Sequence, residues 1–354
     1  MNFLIFGAGA VGGYVGGKLA LAGHGVTFLA RPSVVQAINS RGLRIVERGA
    51  ELRVPGARAA IMPGDVPVER LYDCIILAVK SYDTANAIEG IRELGLGRLA
   101  FRPPILCLQN GVDNESLLAE AFGAERVIAG TVTTTVTMDE PGTVVVERER
   151  GVGIAVERPF GRDVARALSA AGIATQSFAG ADAMKWSKLL VNLPGNATSA
   201  ICDIGTREIF DHPSLYALEV AALRECLAVM RAKGIAVVNL PGTPSGWLAL
   251  GLRYLPASWL RRPIRNSLVT ARGGKMPSFH VDLSRGKGRS EVGWLNGAVV
   301  RHGEKAGVAT PANRLLTETL EAIVAGRVKW EEWKGKPERL TGWQSDRVTQ
   351  CGAV

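Results

Sequence analysis

The sequence lacks the usual markers of a disulfide-stabilised or metal-binding protein. Its five cysteines are odd in number, scattered and without C-x-x-C spacing, and three of them lie inside apolar runs. This pattern indicates reduced core thiols in a cytoplasmic protein, with neither a disulfide framework nor a zinc site. The four histidines (His24, His212, His280 and His302) show no metal-ligand spacing, so we expect no metal and assign them no catalytic role.

Long hydrophobic runs are also missing. No apolar run reaches the about 18 uninterrupted residues of a membrane span, so we expect no membrane association. The apolar N-terminus has no basic n-region and is threaded with glycines, unlike a signal peptide. No Lys/Arg-rich block with interleaved aromatic residues stands out, which disfavours nucleic-acid binding. The formal net charge of +9 still favours anionic partners, among them phosphates and carboxylates.

The 354 residues are enough for two domains. In the first half, short apolar runs alternate with helical patterns, which predicts a doubly wound parallel sheet of the α/β class. We expect helices near 11–22, 83–94, 113–121 and 162–171. The predicted strands are 2–6, 25–30, 73–79, 104–109, 126–130 and 174–178, with 143–149 and 152–157 as antiparallel strands that close the sheet.

Helical patterns dominate the second half, at 181–193, 214–234, 290–306 and 311–326. We therefore divide the chain into a sheet domain (1–180), an all-helical domain (181–326) and a loosely attached polar tail (327–354). Within the helical domain, 238–277 is rich in Pro, Gly, Trp and Arg. We interpret it as a long excursion that could form a short amphipathic helix pair.

The first predicted strand leads directly into a glycine loop, 7-GAGAVG-12, and then into a helix. In G-x-G-x-x-G the first glycine makes a tight turn, the second lets a pyrophosphate approach the backbone, and the third permits close packing. The free N–H groups of the following helix face the phosphates. The alternative is a glycine-rich turn without a ligand. The loop therefore predicts dinucleotide binding in a Rossmann-type domain, through Gly7, Ala8, Gly9, Ala10, Val11 and Gly12.

The second strand lacks the terminal Asp or Glu that usually binds the ribose 2′-hydroxyl of NAD. It ends in 28-FLARPS-33, where Arg31 could pair with a 2′-phosphate, so NADP(H) is favoured. A solvated surface arginine is the alternative. Lys80 and Asn110 follow the next two strands and could contact phosphate, ribose or nicotinamide, although ordinary turn chemistry explains them equally well.

The segment 183-AMKWSKLLVNLPGN-196 has no acidic residue among its amines and amides. At 100° per residue, Lys185, Lys188, Asn192 and Asn196 share one face if the helix stays regular, although the proline is expected to kink it. Such a face suits an acid-bearing ligand. Desolvation and the second amine would lower the pKa of Lys188, whose ammonium could protonate a carbonyl oxygen as hydride reaches the carbon. Snorkelling lysines with capping asparagines are the alternative.

Two later residues are candidates for the same site. Glu291 is expected to open a helix, where the helix dipole favours a carboxylate. It could also be the carboxylate that the lysine helix lacks, either orienting Lys188 or binding cofactor ribose. Ser278, in 277-PSFHVD-282, could donate a hydrogen bond to a substrate carboxylate.

Together these motifs resemble the ketopantoate reductase (2-dehydropantoate 2-reductase) family over roughly residues 1–325. Each motif alone is common, but their order is specific. They are 7-GAGAVGG-13, 80-KSYDT-84, 109-QNG-111, 186-WSKLLVN-192 followed by Asn196, 278-SFHVDL-283, 290-SEVGWLNG-297 and 307-GVATPAN-313.

The resemblance implies an NADPH-dependent oxidoreductase of pantothenate biosynthesis that reduces a 2-keto acid, ketopantoate, to the 2-hydroxy acid. It implies a cytoplasmic monomer or homodimer, with the active site in the cleft between a Rossmann domain and a helical domain. The family roles fall on Lys188 as proton donor, Asn192, Asn196 and Ser278 as substrate contacts, Lys80 and Asn110 as cofactor contacts, and Glu291 as ribose contact and support of the active site.

Some positions depart from the family pattern. Thr206 and Lys275 stand where other members carry further substrate asparagines, and the 238–277 excursion is longer than in compact members. A related or bulkier keto acid is therefore an alternative substrate. The alternative functions are another two-domain hydroxy-acid or opine-type dehydrogenase and a catalytically idle NADP-binding sensor.

Overall fold

The computed structural model of the protein describes residues 1–67, 72–95, 102–272 and 275–341. It divides into two compact units. The first comprises Met1–Lys185 with Asn239–Thr243, and the second comprises Trp186–Val238 with Pro244–Val354. Within the described ranges, no helix is both long enough and apolar enough to cross a membrane.

The strands of the described residues all lie in the first unit and form two sheets. An eight-stranded sheet has the order β12-β11-β8-β7-β6-β1-β2-β5, and a four-stranded sheet has the order β4-β3-β10-β9. The strands are β1 (Asn2–Phe6), β2 (Gly25–Leu29), β3 (Leu43–Glu47), β4 (Ala50–Val54), β5 (Arg58–Ala60), β6 (Cys74–Leu77), β7 (Ile105–Cys107), β8 (Val127–Val132), β9 (Thr135–Thr137), β10 (Thr143–Arg148), β11 (Val152–Ala155) and β12 (Thr175–Phe178).

The large sheet is mainly parallel. Strands β8, β7, β6, β1, β2 and β5 run in one direction, whereas β11 pairs antiparallel with β8 and carries β12 parallel to itself. Its central strands are uninterrupted apolar runs because helices cover both faces. Those helices are α1 (Ala10–Leu21), α2 (Pro32–Arg41), α3 (Thr84–Glu93), α4 (Asn114–Phe122) and α5 (Pro159–Ala170). The predicted Rossmann-type sheet is confirmed.

Helix α1 packs against both sheets through its glycines. A Cβ atom on Gly16 would lie 2.6 Å from Cγ1 of Ile5 in the large sheet. A Cβ on Gly17 would lie 2.7 Å from Cδ1 of Ile45 in the small sheet. Since real Cβ atoms do not tolerate such distances, a side chain at either position would displace these core side chains, and glycine lets the helix lie this close to both sheets.

The small sheet corrects one prediction. Residues 143–149 were expected to close the main sheet, but β10 pairs parallel with β3 and antiparallel with β9 instead. Of the two segments predicted as antiparallel strands of the main sheet, 152–157 joins it, as β11. Helix α2 and strands β3, β4, β5 and β9 were not predicted.

Every element among the described residues of the second unit is helical. Helix α6 (Ala181–Asn192) begins in the first unit and ends in the second. The other helices are α7 (Asn196–Cys202), α8 (Thr206–Asp211), α9 (Pro213–Ala232), α10 (Ser245–Tyr254), α11 (Ala257–Arg272), α12 (Ser278–Ser284), α13 (Asn296–Ala306), α14 (Pro311–Val324) and α15 (Glu338–Thr341).

The long excursion contains the predicted helix pair, α10 and α11. The expectation of a loosely attached tail is wrong for its described part. The indole Nε1–H of Trp330 donates to Ala200 O at 2.8 Å, and Gly335 N–H donates to Cys202 O at 2.7 Å. These donors satisfy carbonyls that the short helix α7 cannot pair internally. Residues 342–354 of the predicted tail lie outside the described residues.

Candidate active site

The glycine loop turns sharply at the end of β1. Gly7 has φ +102°, a conformation that favours glycine, and both Gly7 and Ala8 donate their N–H groups to Leu29 O at 2.9 and 3.1 Å. A Cβ on Gly12 would lie 2.1 Å from Gly7 O. The first and third glycines of the motif therefore build the turn itself.

Gly9, the second glycine of the motif, has a different surrounding. It is the N-cap of α1, and a Cβ built on it meets no atom within 4 Å. No acidic residue stands in the first turn, where Ala10 and Val11 follow. The N–H groups of a first helical turn have no acceptor within the helix and carry the positive end of the helix dipole. This open approach fits a pyrophosphate.

The loop also lies at the point where the strand order reverses. Strand β1 has β2 on one side and β6 on the other, and ligands of such sheets bind beyond the carboxyl ends of the strands at that point. Arg31 follows β2, is the N-cap of α2 and has an exposed side chain. No carboxylate competes for it within 28–33. The position fits the predicted contact with a 2′-phosphate.

Lys80 and Asn110 follow β6 and β7, and buried polar side chains connect their loops. Ser81 Oγ donates to Asn110 O at 2.8 Å, and Asn114 Nδ2 donates to the same carbonyl at 2.6 Å. Gln109 Nε2 donates to Thr84 Oγ1 at 2.9 Å. The predicted cofactor residues thus lie on two backbones that hold each other in place.

Lys185 shows that the lysine helix does have an acidic partner. Its Nζ lies 2.8 Å from Glu115 Oε1 and donates to Gln109 O at 2.6 Å and to Gly130 O at 3.3 Å. Burial alone would lower the pKa of Lys185, but the adjacent Glu115 carboxylate raises it above the usual lysine value. Lys185 is therefore a buried, charged anchor that joins the loop after β7 to the middle of β8.

One expectation about the lysine helix is wrong. The helix does not continue with a kink to Asn196. It stops at Asn192, Gly195 takes the left-handed conformation with φ 65°, and α7 begins at Asn196. A proline without an N–H and a glycine with positive φ end the helix here and do not merely kink it.

The break between α6 and α7 is stabilised by Glu219, a buried carboxylate whose role the sequence did not reveal. Glu219, on α9, is 2% exposed; its Oε2 accepts from Gly195 N–H at 2.7 Å, and its Oε1 accepts from the Thr198 hydroxyl. It therefore satisfies donors at the N-terminus of α7. Nothing local in 213–232 marks this residue, because a glutamate on an amphipathic helix is ordinarily solvated.

The predicted substrate residues of the second unit are partly connected. Asn196 is buried; its Oδ1 accepts from Phe279 N–H at 3.1 Å, and its Nδ2 donates to Asn192 O at 3.4 Å. Ser278, directly before Phe279, is exposed at the start of α12. The side chain of Asn196 thus connects the backbone of Asn192 to the backbone at the start of α12, where Ser278 lies. Lys188 lies one turn before Asn192 on α6 and is half-buried.

Glu291 is buried, with 2% of its surface exposed. It was expected to open an α-helix, but it caps a 3₁₀ turn, Val292–Trp294, and α13 begins only at Asn296. The start of α13 is held from the neighbouring helix, since Asn296 Nδ2 donates to Asn313 Oδ1 at 3.0 Å.

Among the residues that the structure describes, no group of three His, Cys, Asp or Glu side chains could hold a metal ion.

Two protein-family models match successive parts of the chain. A family model described as ketopantoate reductase PanE/ApbA matches residues 3–156, and the model of its C-terminal region matches residues 181–324. The chain belongs to the ketopantoate reductase family. A 2-dehydropantoate 2-reductase of Pyrococcus horikoshii is 30% identical over 327 residues, covering 91% of this chain and 97% of the relative.

Solved structures agree with this assignment. A PanE/ApbA family ketopantoate reductase from Ralstonia eutropha JMP134 has a TM-score of 0.76 and 30% identity, covering 92% of this chain and 99% of its own. D-mandelate dehydrogenase, solved with NADH and anilino(oxo)acetate, has a TM-score of 0.75 at 22% identity, covering 93% and 100%. This second likeness concerns the fold alone.

Proposed function

We propose that this member of the ketopantoate reductase family reduces a 2-keto acid, ketopantoate to pantoate, with NADPH. The observation that carries the proposal is that the family model and the model of its C-terminal region match the chain in order, together with a glycine loop whose geometry fits a pyrophosphate. The reaction would take place in the cytoplasm, with the protein as a monomer or homodimer.

The first unit supplies the cofactor residues. The loop Gly7–Gly12 and the first turn of α1 take the pyrophosphate, and Arg31 pairs with the 2′-phosphate. Lys80 and Asn110 contact the ribose and the nicotinamide of the cofactor. They lie on the loops after β6 and β7, which are connected by hydrogen bonds. When bound, the cofactor supplies the hydride that reduces the keto carbon.

The second unit supplies the substrate residues and the proton. The Lys188 ammonium donates a proton to the keto oxygen as negative charge develops there, which is general-acid catalysis worth on the order of 10²–10⁴ in rate. Asn192, Asn196 and Ser278 hold the keto acid. Because Asn196 Oδ1 already accepts from Phe279 N–H, its Nδ2 is the group suited to a substrate oxygen. Glu291 contacts cofactor ribose and supports Lys188.

A screen of NADPH oxidation tests this proposal. The purified protein is mixed with NADPH and, separately, with ketopantoate, pyruvate, 2-oxoisovalerate and phenylglyoxylate. We expect the highest kcat/KM with ketopantoate. Turnover favouring phenylglyoxylate would identify a bulkier keto acid as the substrate, and NADPH binding without any turnover would identify a cofactor-binding sensor.

A further inference from the structure

The helix pair of the excursion exposes large apolar side chains. Trp247 and Tyr254 on α10 are both 75% exposed, and Trp259 on α11 is 70% exposed. Leu250 and Leu255, at 49% and 40%, lie among them along the chain. Trp247, Leu250 and Tyr254 follow one another at helical spacing and therefore share a face. We call α10, α11 and the turn between them the aromatic hairpin.

The charge of this region has one sign. Over residues 226–281 the sequence contains no Asp or Glu. The same stretch contains eight basic residues: Arg231, Lys233, Arg253, Arg261, Arg262, Arg265, Arg272 and Lys275. A segment of this length without a carboxylate is unusual in a chain with 33 Asp and Glu, and it makes the hairpin complementary to a negatively charged surface.

The inner side of the hairpin is fixed to the second unit. Arg224 donates to Leu252 O at 3.1 Å and to Leu255 O at 3.2 Å, and Arg261 Nε donates to Phe210 O at 2.6 Å. Leu260 and Ile264 are buried below. Because these contacts fix the backbone of the hairpin on the second unit, the aromatic rings stay exposed to solvent when the unit is folded.

Two arginines remain on the outer side. Arg253, beside Tyr254, and Arg262, one turn after Trp259, both have exposed side chains. Exposed Trp and Tyr rings next to Arg, on helices with an apolar face, are the combination found in helices that lie in the interface of a bilayer. Trp and Tyr suit that layer because one end of the ring system is apolar and the other forms hydrogen bonds.

Although the sequence predicted no membrane association, we propose that the aromatic hairpin docks the protein peripherally on an anionic lipid bilayer. The rings of Trp247, Tyr254 and Trp259 enter the headgroup layer, and Arg253 and Arg262 pair with lipid phosphates. A second copy of the hairpin is a poorer occupant because it presents the same positive charge without any carboxylate of its own. This inference does not depend on the proposed reaction, since no hairpin residue belongs to the candidate active site.

Vesicle co-sedimentation tests the proposal. The full chain is incubated with vesicles of pure phosphatidylcholine and of phosphatidylcholine with 30% phosphatidylglycerol, at 0.1 M and 0.5 M NaCl. We expect binding to the anionic vesicles at low salt, at least tenfold weaker binding at high salt, and little binding to the neutral vesicles. Circular dichroism melts verify that each variant is folded.

Two variants separate the contributions. Trp247→Ala/Trp259→Ala should weaken partitioning at least tenfold. Arg253→Gln/Arg262→Gln should weaken it about 25-fold, since each arginine near an anionic surface contributes roughly fivefold. The control Arg41→Gln/Arg158→Gln removes two exposed arginines from the first unit and should change binding less than threefold.

Three results would overturn the proposal. The first is no sedimentation with anionic vesicles at 0.1 M NaCl. The second is an equal loss in the control and in the hairpin arginine variant, which would indicate attraction by net charge alone. The third is a dimer, measured by light scattering, that becomes a monomer in Trp247→Ala/Trp259→Ala while vesicle binding is unchanged. That result would assign the hairpin to a second copy of the chain.

Discussion

Lys185 and Glu115 form a buried ion pair in which Nζ and Oε1 lie 2.8 Å apart, with side-chain exposures of 5% and 16%. The same ammonium donates to Gln109 O, directly before Asn110. The pair therefore links helix α6 to the strand-end loop that is expected to contact the cofactor. Seventy residues separate the two side chains in the chain, so the partnership could not be inferred from spacing.

Removing one member of this pair should destabilise the protein and loosen the loop. Lys185→Met leaves the Glu115 carboxylate buried without its counter-charge, which costs about 3–5 kcal/mol. The double variant Lys185→Met/Glu115→Met should recover most of that stability, because a hydrophobic pair of similar volume avoids the buried charge. Urea denaturation measures both.

The double variant also tests a positioning role for Lys185. If the ammonium positions the Gln109–Asn110 backbone, the Kd for NADPH should rise severalfold even where stability is restored. Arg92→Met, which removes an exposed ion pair with Glu89, should change neither quantity appreciably. Unchanged NADPH affinity in the double variant would restrict Lys185 to a structural role.

Two substitutions in the glycine loop should have different effects. Gly12→Ala places a Cβ 2.1 Å from Gly7 O and should lower the melting temperature markedly, because a backbone atom would have to move. Gly9→Ala meets no atom within 4 Å and should fold normally, yet it should weaken NADPH binding at least tenfold because the methyl group occupies the approach of the pyrophosphate. Thermal melts and NADPH fluorescence titrations measure the two effects. Normal NADPH affinity in Gly9→Ala would argue against a pyrophosphate at this position.

Arg31 should determine the choice between the two nicotinamide cofactors. Arg31→Ala removes the only basic residue within 28–33, so the Kd for NADPH should rise at least tenfold, while that for NADH changes less than threefold. Arg41→Ala, on the same helix, serves as the control. Equal losses for both cofactors would contradict the 2′-phosphate role.

Glu225 should make stability depend on pH. Burial raises the pKa of its carboxyl to about 7, although the N–H groups of Ala312 and Asn313 oppose the shift. The folded state then holds this proton more tightly than the unfolded state, so stability falls as pH rises from about 4.5 to about 7 and is constant above. The loss amounts to at most about 3 kcal/mol.

The measurement is the free energy of unfolding of the wild type and of Glu225→Gln between pH 4.5 and 8. The variant should show a shallower decline over that window, even if its overall stability is lower because the amide group faces N–H donors. The exposed Glu120→Gln should keep the wild-type slope. Identical slopes in wild type and Glu225→Gln would show that another group titrates.

Patterns that depend on neighbouring residues were readable from the sequence. The glycine loop, the strand that precedes it and the helix that follows it all lie where periodicity and turn chemistry predicted. The partner of a strand was not readable, because 143-TVVVER-148 fits either sheet equally well by composition. Strand β3 hides in the short segment 43-LRIVE-47, where charged residues mask the alternation of the buried Leu43 and Ile45.

The candidate site shows the same limit. The sequence identified Lys188, Asn192, Asn196, Ser278 and Glu291 as candidates by type and order, and their roles stay predictions. It did not identify Glu219 or Glu115, whose importance comes from burial against distant backbone donors or a distant lysine. Long-range polar partners of this kind have no periodic signature, whereas caps, turns and amphipathic faces do.

The central claim is that the Lys188 ammonium protonates the keto oxygen during NADPH-dependent reduction. The most direct measurement compares wild type and Lys188→Ala for kcat with ketopantoate and for the Kd of NADPH in the same preparation. The account predicts measurable turnover in the wild type, at least a tenfold lower kcat in the variant, and nearly equal NADPH affinity. Equal kcat values in the two proteins would contradict the account.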